Sequence, residues 1–136
     1  MSTLPERPSP PDADEWVLEL PFTTPLSLND RTPWPVKAKA TKAWRDAAHW
    51  LARSVGVPKS HSYGVSIQLY YTPRDRRRRD PLNLVASLKA IEDGIVDAGV
   101  IKDDSSAYHR SEMPIITEPG PARPGGNRLW VVIRRR

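Results

Sequence analysis

Between residues 63 and 98 the hydrophobic period changes from two to nearly four, and this change limits the available folds more than any other feature. Val65, Ile67, Leu69 and Tyr71 alternate with Ser66, Gln68 and Tyr70, which predicts a strand over 63–72 with one apolar face. Leu84, Leu88, Ile91 and Ile95 then recur at helical spacing and predict a helix over 81–98. Asp80 suits its N-cap, Pro81 its first position and Gly99 its stop. A one-faced strand followed at once by a one-faced helix has a simple solution: the helix lies on the sheet.

The flanking segments supply the rest of such a fold. Trp16, Leu18 and Leu20 alternate with Val17 and Glu19 as a first strand. A helix is predicted over 36–55, with Ala40, Ala43, Trp44, Ala47, Ala48, Leu51 and Val55 inward and Gly56 ending it. Lys37, Lys39, Lys42, Arg45 and Arg53 decorate its remaining surface, and His49 falls at the surface or boundary. Residues 113–117 and 128–133 read as two more strands, and the turn-rich 118–127 between them predicts a hairpin with a long flexible tip. The expected class is α/β (α+β): a small mixed four-stranded sheet with two main helices in the order β-α-β-α-β-β. With 136 residues the chain makes one domain, 15–136, after a flexible arm at 1–14 rich in proline and acid.

Composition narrows the chemistry. The chain has no cysteine, which excludes disulfides, zinc–thiolate sites and thiol nucleophiles and suits a reducing cytoplasm. No apolar run approaches membrane-span length, and no signal peptide is visible in the first 14 residues. A formal charge of +5 favours anionic partners, the more so because arginines gather at 74–79 and at Arg134, Arg135 and Arg136.

The densest chemistry lies at the predicted strand-to-helix switch. Arg76, Arg77, Arg78 and Arg79 precede Asp80 directly, and Asp103 and Asp104 follow the second helix. Guanidinium forks match phosphate oxygens, and carboxylates supply the oxygen ligands of magnesium. Each residue also has a plainer reading. Asp80 is an ordinary N-cap residue, Asp103-Asp104 an ordinary solvated turn, and the arginines an ordinary solubilising run. Lys89 can grip a phosphate or pair with Asp93 one turn on. Asn29 and Arg31, in the proline-rich 21–35, are candidates for DNA contact or for simple turn chemistry. Asp93 and Asp97 lie 13 and 17 residues beyond Asp80, about 19 and 25 Å along a helix, too far to share a metal with it.

Arg76 to Asp80, Asn83, Lys89, Asp93-Gly94-Ile95, Ala98-Gly99 and Asp103-Asp104 together resemble the signature of the RusA family of Holliday-junction resolvases. The usual pattern there is Arg-Asp-x-Asp-Asn, a helix carrying the lysine, then glycine and Asp-Asp. The resemblance is strong over about residues 72–106 and weak over the first strand and first helix. It implies a cytoplasmic, bacterial or phage-type homodimer that cuts branched DNA with magnesium. Asp80, Asp104 and Lys89 would be catalytic, Asp103 would join Asp80 and Asp104 at the metal, and Asn83 would contact metal or DNA. Arg76, Arg77, Arg78, Arg79, Asn29 and Arg31 would hold DNA. Leu82 departs from the pattern, standing where the second aspartate is expected. An alternative is therefore a junction-binding protein with reduced or lost cleavage. A third reading is a single-strand or RNA-binding module stacking bases on Trp16, Trp34, Trp44 and Tyr70.

Geometry adds one further expectation. A helix over 81–98 separates its ends by about 27 Å, whereas 99–104 spans at most about 17 Å even fully extended. Either the helix ends early or bends near Gly94, or Asp104 comes from a partner subunit. The second option would pair two such helices through Leu84, Leu88, Ile91 and Ile95, with Val85 and Val96.

Overall fold

A computed structural model describes residues 15–22, 25–26, 33–58, 64–73, 79–101, 109–117 and 128–135. Among these residues five strands and two helices follow in the order β1 (Glu15–Glu19), α1 (Trp34–Val55), β2 (Val65–Thr72), α2 (Val85–Asp97), β3 (His109–Ser111), β4 (Ile115–Ile116) and β5 (Arg128–Arg135). A single 3-10 turn, Pro81–Leu84, leads into α2. The expected arm at 1–14 and the tip at 118–127 lie outside the described residues.

The sheet is mixed and four strand positions wide. Its order is β1-β5-β2, with β3 and β4 following one another along the free edge of β2. Both run parallel to β2, so β2, α2 and β3 form a β-α-β unit. Between them Glu112 N–H donates to the Ile67 carbonyl (2.9 Å), and Gln68 Nε2 donates to the Met113 carbonyl (2.6 Å). Pro114, which cannot donate, separates the two pieces at this edge.

The predicted hairpin between the last two strands does not form. β5 pairs antiparallel with both β1 and β2, so β2 stands between it and β4. Burial explains the choice. Leu129, Val131 and Ile133 are buried on one face of β5, and Trp130 and Val132 on the other. A strand apolar on both faces belongs in the middle of a sheet, while β4, with Ile115 exposed, suits an edge.

Both helices cover one face. Leu18, Val65, Ile67, Leu69, Tyr71, Leu129, Val131 and Ile133 meet Trp44, Ala48 and Ala52 of α1 and Leu88, Ile91 and Ile95 of α2 in one core cluster. Each fully buried large aliphatic side chain there stabilises the fold by about 1.5–3 kcal/mol. The other face carries Val17, Tyr70, Trp130 and Val132, with the Tyr70 and Trp130 rings stacked at 5.1 Å. Arg128 lies over Trp130 at 4.1 Å and donates through Nε and a terminal nitrogen to Glu19.

The first helix begins two residues earlier than its periodicity predicts. Pro35 falls in the first turn, where its missing N–H is no loss. The inward stripe also differs: Ala52 is fully buried, whereas Ala43 and Val55 are exposed. Both helices end alike, with Gly56 (φ 83°) and Gly99 (φ 80°) left-handed and the next residue tucked inward. Val57 N–H donates to the Ala52 carbonyl, and Val100 N–H to that of Ile95.

α2 runs unbroken through Gly94 to Asp97, so of the two alternatives the early end at Gly94 does not occur. Gly94 serves the crossing with α1 instead. A Cβ at this position would lie 2.2 Å from the Arg45 carbonyl oxygen and 2.8 Å from Ala48 Cβ. The predicted stripe of Leu84, Leu88, Ile91 and Ile95 is real but already used. All four are buried in this chain's own core, which removes them as the contact between two subunits. Among the described residues, no helix is long and apolar enough to cross a membrane.

Candidate functional site

The site candidates sit where β2 hands over to α2. β2 ends at Thr72, and β4 ends beside it: Thr117 N–H donates to the Tyr71 carbonyl (2.9 Å), and the Thr72 and Thr117 hydroxyls bond at 2.6 Å. Two parallel strands thus finish side by side. The carboxyl edge of parallel strands is where α/β sheets place ligands. The chain returns at Arg79, whose guanidinium lies 5.9 Å from the centre of the Tyr71 ring.

Asp80 is extended (φ −103°, ψ 124°) and caps the 3-10 turn rather than the α-helix expected to start at Pro81, which begins only at Val85. Its Oδ1 accepts from Leu82 N–H at 3.0 Å, and its carbonyl accepts from Asn83 N–H at 2.9 Å. Such a cap stabilises the helix start by about 1 kcal/mol. Capping occupies one carboxylate oxygen. Among the described residues the other makes no hydrogen bond, and the side chain is exposed. Arg79, Asp80, Pro81 and Asn83 line an open hollow of about 510 Å³. Leu82 is 60% exposed beside them and brings no oxygen to it.

Lys89 lies farther along α2 and carries out its local alternative, with Nζ 3.4 Å from Asp93 Oδ1. Both side chains are substantially exposed, so the pair contributes at most a few tenths of a kcal/mol. Asp80 and Lys89 are separated by the 3-10 turn and the first turn of α2, about 14 Å along the axis. Asn29, Arg31, Arg76, Arg77, Arg78, Asp103 and Asp104 lie outside the described residues. Among the described residues no three metal-ligating side chains converge. Asp80 and Asn83 alone offer one carboxylate oxygen and one amide carbonyl. Magnesium is commonly held by one or two carboxylates together with substrate phosphates and waters, so these two donors supply part of such a ligand set and do not complete it.

Two arrangements escaped the sequence reading. Arg45 of α1 grips Asp97 at the end of α2 through two bonds, Nε to Oδ2 (2.5 Å) and a terminal nitrogen to Oδ1 (2.8 Å). These bonds hold the Asp97 carboxyl below its ordinary range, against a smaller opposing effect of burial. They also keep Arg45 firmly charged. The partners are 52 residues apart, so no local spacing signals them. Glu92, buried on α2, accepts a hydrogen bond from the Ser111 hydroxyl on β3 and ties helix to sheet edge.

The aromatic residues sort into two groups. Trp44 and Tyr70 are buried and Trp16 is half-buried, with Trp44 stacked on Phe22 at 4.6 Å. Three of the four predicted stacking residues therefore serve the packing of the domain, leaving Trp34 exposed at the start of α1. Trp50, passed over in the sequence, is exposed too. Compared with known proteins, the sequence matches no family model and no curated protein.

Proposed function

We propose that the protein is a RusA-like, magnesium-dependent endonuclease that acts on four-way or otherwise branched DNA as a homodimer. The supporting observation is Asp80: a capping carboxylate with one oxygen open, in a hollow shared with Arg79 and Asn83 at the carboxyl edge of parallel strands. On this reading Asp80 and Asp104 hold the cation, with Asp103 beside them. When bound, magnesium activates water and offsets charge on the scissile phosphate. The cap fixes the Asp80 carboxylate at the helix start, so little side-chain freedom is lost when a ligand arrives. Arg76, Arg77, Arg78 and Arg79 hold backbone phosphates and position DNA without reading its sequence. Lys89, about 14 Å along the axis from Asp80, grips a DNA phosphate farther along the helix rather than the scissile one, and Asn29 and Arg31 add contacts from the segment before α1. Two-fold symmetry suits a junction needing two symmetric cuts.

A second reading is favoured by Leu82. An exposed leucine occupies the resembling pattern's second acidic position, which would leave a junction binder with weak or no cleavage. Leu82→Asp separates the two. Its side chain would sit on the same exposed turn as Asp80, so the substitution costs little stability. The nuclease reading expects faster cutting of a labelled four-way junction and a lower magnesium requirement, with junction affinity unchanged. Junction binding without cutting by wild type or Leu82→Asp, under any divalent ion, establishes the binder.

A further inference from the structure

Trp50 is 62% exposed even though two neighbours rest against its ring. The His49 imidazole stacks on it at 5.1 Å, nearly parallel, and the Arg53 guanidinium lies 5.5 Å from its centre. At 100° per residue Trp50 falls on the side of α1 away from Trp44, Ala48 and Ala52, the residues packed into the core. It belongs to neither hydrophobic cluster. Its indole is thus held in place at the surface without contributing to the packing of the domain.

The surroundings indicate what such a ring is suited to meet. Lys39 precedes Trp50 by 11 residues, three turns, and so lies on the same side of the helix. Lys42 and Arg53 lie together along one edge of this face, and all three cations are exposed. The one carboxylate among them, Asp46, is bound to Lys42 at 2.6 Å. From Lys39 to Arg53 the face is about 21 Å long. A positive strip with a restrained aromatic ring is the pairing that single-stranded nucleic acid calls for: cations follow the phosphates, and the ring takes a base. A duplex buries its base faces and offers the ring nothing to stack on.

We propose that the outer face of α1 is a second nucleic-acid site, in which Trp50 stacks an unpaired base while Lys39 and Arg53 hold the adjoining phosphates. The site does not depend on the reading of Asp80. It requires no metal and would bind single strands whether or not the protein cuts junctions.

The test uses a short fluorescein-labelled oligothymidylate and a blunt duplex of equal length, without divalent ions. Trp50→Ala should weaken single-strand binding roughly 5- to 100-fold, the range lost when a stacking ring is removed. Trp50→Phe should stay within about threefold, and duplex binding should hardly change in either. Unlabelled oligothymidylate should quench part of the wild-type tryptophan emission, and that part should be missing in Trp50→Phe, which provides a second readout if Trp50→Ala folds poorly. Equal single-strand affinity of wild type and Trp50→Ala, or equal quenching in Trp50→Phe, overturns the proposal. So does a Trp50→Ala chain that loses a subunit in sedimentation, because the face would then be covered by a second copy.

Discussion

Replacing Gly94 by alanine separates two accounts of why α2 carries a glycine in its middle. Helix propensity alone favours alanine by about 1 kcal/mol, so a glycine kept only by chance should be improved on. The packing argues the reverse. The added Cβ would meet the Arg45 carbonyl oxygen at 2.2 Å, Ala48 Cβ at 2.8 Å and the His49 nitrogen at 3.0 Å. Comfortable contact between such atoms is about 3.5 Å, so the helices must part by roughly 1 Å. Two of the three obstacles are backbone and cannot rotate aside. Overpacking costs about 1–3 kcal/mol, and a backbone obstacle argues for the upper end. Set against the propensity gain, the net loss is about 2 kcal/mol. For a domain of this size that lowers Tm by roughly 7 °C. Thermal melts followed by circular dichroism, with urea titrations to show an unchanged slope, read the effect. Adding Ala48→Gly should not restore stability, because the nearest obstacle remains. A Tm raised by about 4 °C in Gly94→Ala would refute the close-crossing argument.

Two further predictions concern charge. Replacing Arg76, Arg77, Arg78 and Arg79 by alanine should weaken DNA binding broadly and flatten the slope of log K against log salt, because each lost phosphate contact removes a released counterion; an unchanged slope removes these arginines from the interface. Asp97→Asn should cost less than about 1 kcal/mol at neutral pH, since both partners of the Arg45 pair are partly exposed. The pair lowers the Asp97 pKa in the folded state. Its contribution is therefore complete above the unfolded value near 4 and is lost as pH falls below it, so urea titrations of wild type and Asp97→Asn should converge in acid. A difference that grows as pH falls would contradict this sign.

What the sequence showed clearly was local. Val65, Ile67, Leu69 and Tyr71 declared their buried face because a strand's period is exact. Leu84, Leu88, Ile91 and Ile95 declared theirs because Asp80 and Gly99 bracket one helical segment and leave little doubt about its phase. The first helix was less legible. Alanines occur on most of its sides, so the stripe can be rotated without visible penalty, and Ala52 rather than Ala43 turned inward. Trp50 was readable from the same wheel as a large ring opposite the core, a position that packing does not explain. The last two strands do not form a hairpin although they are neighbours in sequence, because the unbroken apolar run 129–133 marks a central strand that needs a partner on both edges. The Asp80 cap could be read from Asp-Pro alone. The Arg45–Asp97 clasp and the Glu92–Ser111 bond could not, since each exists only after two distant elements pack.

The central proposal rests on Asp80 as a magnesium ligand in a junction-cutting site, and strand-by-strand cleavage mapping tests it most directly. Each strand of a four-way junction is end-labelled in turn and incubated with wild type or Asp80→Asn, with and without magnesium, beside a linear duplex of the same sequence. The account predicts paired nicks in opposing strands of the junction that require magnesium, spare the duplex and vanish in Asp80→Asn while junction binding persists. Nicks of equal rate in Asp80→Asn, or the absence of any nick with magnesium, manganese or calcium, would contradict it.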